Sequence, residues 1–291
     1  MTYEFQSLIS KANELELKEF LKGLKHENLK SIKREDVKAL IPVMLNEIGN
    51  VDPELRDNFI YSTFIQLLDE DILSPEQCRH ILKTCLDEDH LFFNIGEVNT
   101  DSVFTRSFSS LFIAAIVFKS EVGGFLSKEE VEEVFRNSLA YMQREQDTRG
   151  YVSGKGWAHS MAHGADMLVS LAKHPEVNQE SFSSILDMIA DCLLKKDAVY
   201  VDNEDGRLIN VIEALLDRGM DEKELDALVQ NIFHNLSRTL NEKCKSIEYY
   251  RAKFNCTTFL KTLYFRLKFR KAESRVCDLI LGRLKELHQR V

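Results

Sequence analysis

Turn-forming residues are scarce in this chain: four prolines and twelve glycines in 291 residues. A β-sandwich or barrel, which needs turn signals about every 8–12 residues, is excluded by that scarcity. Long apolar runs are also missing. The longest, Leu111 to Phe118, has eight residues, against roughly 20 for a membrane-spanning helix. Met1 to Asn13 is polar and amphipathic and lacks the basic head and apolar core of an export signal. The six cysteines (Cys78, Cys85, Cys192, Cys244, Cys256, Cys277) are scattered, with no C-x-x-C pair, which argues against a disulfide scaffold and a zinc-finger framework. The expectation is reduced thiols, a cytoplasmic location and no membrane partner.

Basic charge is in short supply as well. The net charge is −9, and such a field repels nucleic acid and anionic membranes, so neither is expected as a partner. The exception is the stretch from Lys243 to Val291, where 13 Lys and Arg stand against 4 Asp and Glu. Phe254, Phe259, Phe265 and Phe269 interleave with that charge, and the pattern reads as a packed helix docking on the acidic body.

What the sequence has in abundance is helix. Asp52-Pro53-Glu54, Ser74-Pro75-Glu76-Gln77, Ser127-Lys128-Glu129-Glu130 and Asp221-Glu222-Lys223-Glu224 each place a capping side chain before a first-turn proline or acid. Apolar residues then recur at three- and four-residue spacing, as in Ile60, Phe64, Leu67 and Leu68, or Leu225, Leu228, Ile232 and Leu236. About twelve helices are predicted, near 4–20, 34–48, 53–69, 75–87, 101–119, 127–144, 157–173, 179–195, 205–218, 221–240, 246–269 and 273–289. Val199-Tyr200-Val201 is the sole strand candidate. Short connections make successive helices antiparallel hairpins that must stack to cover their apolar faces. The expected fold is all-α: one domain over 1–291, a degenerate α/α hairpin array of the HEAT-like solenoid or partial-toroid kind. Two connections are longer, Asp87 to Asp101 and Glu145 to Lys155, and long loops in helical arrays often carry function.

The second long connection opens the segment Arg149-Gly150-Tyr151-Val152-Ser153-Gly154-Lys155-Gly156-Trp157-Ala158-His159-Ser160-Met161-Ala162-His163-Gly164-Ala165-Asp166. It holds the only tryptophan, two histidines and four glycines. On a helix starting near Trp157, that residue shares an apolar arc with Met161, Leu168 and Leu171, while His159, His163, Asp166 and Ser170 share the opposite one. Two imidazoles one turn apart with a carboxylate one turn further on can ligate Zn²⁺ or another divalent ion, although the run is not H-E-x-x-H. Without a metal, Asp166 can orient His163 as a general base. Gly154-Lys155-Gly156, placed before a helix start, offers amide N–H groups and a lysine to an anion, although the spacing is not that of a P-loop. A second polar knot, Tyr200 to Arg207, places Glu204, Asp205 and Arg207 within reach of the histidines across one hairpin; its blander reading makes Asp205 a cap.

The run from Arg149 to His159, then His163-Gly164-Ala165-Asp166 and the later Glu204-Asp205-Gly206-Arg207, resembles a bacterial family catalogued as domain of unknown function 2785. The resemblance extends over most of the chain and implies a helical, cytoplasmic bacterial protein. It names no reaction. The residues themselves favour a binding module that holds a small molecule, anion or peptide on a concave face around Lys155, Trp157, His159, His163, Asp166, Glu204, Asp205 and Arg207. The alternative is a metal-dependent hydrolase, with His159, His163 and Asp166 on a divalent ion such as zinc and Glu204 or Asp205 activating water.

Overall fold

The computed structural model describes residues 14–26, 32–195, 198–242, 246–270 and 274–289. Among them are twelve α-helices: α1 Glu14–His26, α2 Arg34–Asn46, α3 Ser62–Asp69, α4 Pro75–Cys85, α5 Ser102–Gly123, α6 Lys128–Arg144, α7 Ser160–Lys173, α8 Phe182–Leu193, α9 Glu204–Asp217, α10 Glu222–Glu242, α11 Ile247–Arg270 and α12 Arg275–Gln289. A π-helix, Glu54–Tyr61, runs directly into α3, and two residues on each side of a turn form the only ladder among the described residues, β1 Tyr151–Val152 with β2 Gly156–Trp157. The molecule is all-α in character. Part of the first predicted helix, over 4–20, falls outside the described residues, as does Cys244.

The caps read from sequence explain the helix starts. Ser74 and Ser127 each form a reciprocal capping box, with Gln77 and Glu130. Asp52 accepts from the N–H of Glu54 and Asp221 from that of Lys223. The apolar stripes point inward, with Ile60, Phe64, Leu225 and Ile232 fully buried, and one continuous cluster of buried side chains runs from Leu17 to Leu287.

α5 packs along α7, α7 against α9, α9 against α11, and α3 against α5; α6 packs on α8, α8 on α10, and α10 on α12. Alternate helices are therefore spatial neighbours. α5 is the innermost rod, and although it is long and apolar enough by composition to cross a membrane, 78% of that apolar window is buried inside the molecule. Two of its serines return their hydroxyls to their own helix, Ser109 to the carbonyl of Thr105 and Ser110 to that of Ser107, so they cost the core no unpaired donor.

The basic C-terminal helices dock on the acidic body. Arg266 pairs with Glu213, Arg270 with Asp217 (2.5 Å) and Arg275 with Asp226 (3.6 Å). The aromatic residues divide, however. Phe259 is buried, whereas Phe254, Phe265 and Phe269 are exposed, because α11 turns those positions away from α9 and α12. The described cysteines are free and buried. Val199-Tyr200-Val201 forms no strand. Tyr200 is instead a buried anchor, its hydroxyl donating to the carbonyl of Cys192 (2.6 Å) and its N–H to Asn255 Oδ1 (2.8 Å).

Candidate functional site

The two long connections lock together. Asn99 N–H donates to Asp147 Oδ2 (2.9 Å), Arg149 Nη2 to the carbonyl of Thr100 (2.6 Å), and Lys155 pairs with Asp101 (2.7 Å). Beneath them lies Arg106, fully buried, with two hydrogen bonds to Glu145 (2.6 and 2.9 Å) and others to Ser102 Oγ (2.8 Å) and the Phe93 carbonyl (2.9 Å).

From this platform the chain makes the β1–β2 hairpin. Gly154 and Gly156 both take φ of +77°, which a glycine adopts without strain, and Arg56 from the π-helix clamps the turn by donating to the carbonyl of Lys155 (2.9 Å). This corrects the reading of a helix from Trp157. Trp157 lies on β2, 41% exposed, and α7 begins three residues later. The anion-site reading changes for the same reason: Gly154-Lys155-Gly156 is a hairpin tip and not a helix start, and Lys155 is already paired with Asp101.

His159 caps α7 in a left-handed conformation, φ +48°. Its ring stacks on the indole of Trp157 (centroids 4.3 Å apart) and meets His163 edge-on at 5.6 Å. α7 is buried on most faces, because α5, α6 and α9 surround it, so the arc holding His163 and Ser170 is interior. The Ser107 hydroxyl donates its one proton to the carbonyl of Ala158, so its oxygen accepts from Nδ1 of His163 (2.7 Å) and leaves the lone pair on Nε2. Burial holds the pKa of His163 well below its usual value, with His159 and Arg207 adding to the effect, and burial lowers that of His159 as well. Both rings are neutral at pH 7.

Asp166 pairs with Arg207 Nη1 (2.5 Å). Burial raises its pKa and Arg207 opposes the rise. Asp205 is the acceptor for the Thr262 hydroxyl (2.7 Å). The cap of α9 is Asn203, in a left-handed conformation, and not Asp205. Glu204, 2% exposed, accepts from the N–H of Asp202 (2.9 Å), and burial raises its pKa.

The predicted metal set therefore separates. His163 is engaged by Ser107 and Asp166 by Arg207, and neither belongs to any group of three donors within ligand reach among the described residues. The group that does converge is His159, Asp202 and Glu204, with one donor atom from each lying within 4.8 Å of the others. Asp202 is the residue missed from sequence. Its carboxylate accepts from Tyr151 N–H (2.9 Å) and occupies the space that a Cβ on Gly150 would fill. Gly150 was thus the available signal, a glycine marking a close approach.

Two hollows are lined by other residues of this region. One, of about 430 Å³, is lined by Tyr61, Ile65, Leu111, Ala115, Phe118 and Asp166, among others. The second, about 510 Å³ and more open, lies between the π-helix residues Glu54, Asp57 and Asn58 and the hairpin residues Tyr151 and Trp157. No curated protein and no solved structure is significantly similar to the chain. The family model described as "Protein of unknown function (DUF2785)" matches residues 91–265, a span that includes the hairpin, both histidines, Asp166 and the Asp202–Arg207 knot, and the chain belongs to that family.

Proposed function

We propose that the chain is a binding protein for a small molecule with an apolar body and a polar end, seated in the hollow between α3, α5 and α7. One observation carries this reading: the hollow combines the apolar side chains of Ile65, Leu111, Ala115 and Phe118 with the polar groups of Tyr61 and of Asp166, the latter paired with Arg207. A volume of about 430 Å³ lies in the range of small-ligand sites, and such sites combine apolar walls with a few fixed polar groups. Tyr61 stays protonated as a donor, since burial pushes its pKa up to about 12.

The packing of alternate helices supports reading the molecule as a two-row α/α hairpin array, α3, α5, α7, α9 and α11 forming one row and the even-numbered helices from α6 the other. All the lining of this hollow comes from the first row and the last residue of the π-helix. An anion is a poorer fit, because Lys155 is spent on Asp101. The hydrolase alternative loses the metal set on which it was built.

The test is a titration with 1-anilinonaphthalene-8-sulfonate against wild type and Ala115→Trp, which fills the hollow. Saturable enhancement of the dye's emission, lost in the variant and competed by compounds from a metabolite panel, is the expected result. Equal dye binding by the filled variant refutes the reading.

A further inference from the structure

We propose that His159, Asp202 and Glu204 form a site for a divalent transition-metal ion of the zinc class. One imidazole nitrogen and one oxygen from each carboxylate lie within 4.8 Å of one another. Around tetrahedral Zn²⁺, with bonds of about 2.1 Å, donors stand about 3.4 Å apart, so small side-chain rotations bring the three onto one ion. The remaining positions stay open for water.

Two further observations favour a cation at this position. Nε2 of His159 is buried and has no hydrogen-bond partner, and a buried nitrogen left unpaired is costly. Finally, Asp202 and Glu204 receive hydrogen bonds from the amides of Tyr151 and Asp202, yet among the described residues neither carboxylate is ion-paired with a lysine or arginine. Two clustered carboxylates, one of them nearly inaccessible, are thus left without a salt-bridge partner.

The donor set also selects the ion. Imidazole with carboxylates suits Zn²⁺, Co²⁺ and Mn²⁺, whereas Ca²⁺ and Mg²⁺ prefer oxygen alone. The local backbone is built around the site: Gly150 makes room for the Asp202 carboxylate, Gly206 makes room for the folded-back Asn203 side chain, and both Asn203 and His159 adopt left-handed conformations that aim their neighbours inward. None of this depends on the apolar hollow, so either reading can fail alone.

Trp157 provides the readout, since it is the only indole and lies 4.3 Å from the His159 ring. The full chain, stripped with a chelator and dialysed, is titrated with Co²⁺ while tryptophan emission is followed, and with Zn²⁺ by calorimetry. The expected result is saturable quenching at one Co²⁺ per chain, reversed by Zn²⁺ but not by equal Ca²⁺. His159→Gln and Asp202→Asn should each weaken binding at least about tenfold, since losing even an outer partner of a ligand costs 10- to 100-fold. Asp202→Asn keeps its shape and its acceptor for Tyr151, so it decides the question if His159→Gln melts early. No saturable uptake by wild type, undiminished affinity in Asp202→Asn, or displacement by Ca²⁺ as readily as by Zn²⁺ overturns the proposal.

Discussion

Two polar clusters lie close together in this molecule and differ in one respect. Around Arg106 the charges balance: the guanidinium meets Glu145 with two nitrogens and donates to Ser102 and the Phe93 carbonyl, and Glu145 also accepts from the N–H of Asp147 (2.9 Å). Around His159 they do not: two carboxylates face a neutral ring with an unpaired nitrogen. A satisfied network fixes loops in place and has nothing left to offer a guest. An unsatisfied one, here the half-buried His159 and Asp202 beside the buried Glu204, keeps donor atoms free for a guest.

The largest test of this contrast removes the balanced charge. Arg106→Met leaves Glu145 buried and uncompensated, and unfolding by urea should show a loss of about 3–5 kcal/mol. Combining it with Glu145→Leu should return part of that loss, because no stranded charge remains; a double variant no better than the single breaks the argument. A smaller effect is expected from Gly150→Ala, whose Cβ collides with the Asp202 carboxylate. Overpacking of this kind costs about 1–3 kcal/mol. If Asp202 moves aside, Co²⁺ quenching of Trp157 should weaken as well, whereas Arg106→Met variants that remain folded should keep it.

The smallest effect concerns pH. His163 and His174 have folded pKa values below the usual 6.5, each mainly through burial. Between those depressed values and pH 6.5 the unfolded chain binds more protons, so stability is fully present above pH 6.5 and falls as the pH drops below it. The slope reaches at most about 1.4 kcal/mol per pH unit for each ring. Asp57, Asp166 and Glu204, whose pKa values burial raises, act in the opposite sense as they take up protons. The readout is therefore the difference between wild type and His174→Asn in urea melts at pH 7.5, 6 and 5. A difference independent of pH disproves the assignment.

Helices were legible in the sequence because their signals are local. Capping serines, first-turn acids and apolar spacing all act within one turn, and the boundaries of α4, α6 and α10 follow from them. The hairpin at Tyr151–Trp157 was not legible, because its causes are distant: Arg56 holds the turn from the π-helix and Asp202 holds Tyr151 from the far side of α8. The placement of Trp157 and Lys155 followed that error. His159, Glu204 and Arg207 were singled out on residue type, but their partners were set by tertiary packing, as with the pairing of Asp166 to Arg207 across α7 and α9. The exposure of Phe254, Phe265 and Phe269 escaped notice because an aromatic on a basic helix reads alike whether its face is covered or bare.

The π-helix at Glu54–Tyr61 leaves no mark in the apolar spacing, which continues unbroken through Ile60 and Phe64, yet it sets the angular phase of everything before it. Wider winding amounts to a spare residue in the coil, and removing it would let the segment rewind as ordinary α-helix and shift the residues before it relative to α3. Arg56 would then be displaced from the hairpin tip it now grips, so a length change of one residue, with no loss of chemistry, would loosen the turn beside the indole while Asp202 still held Tyr151 from the other side.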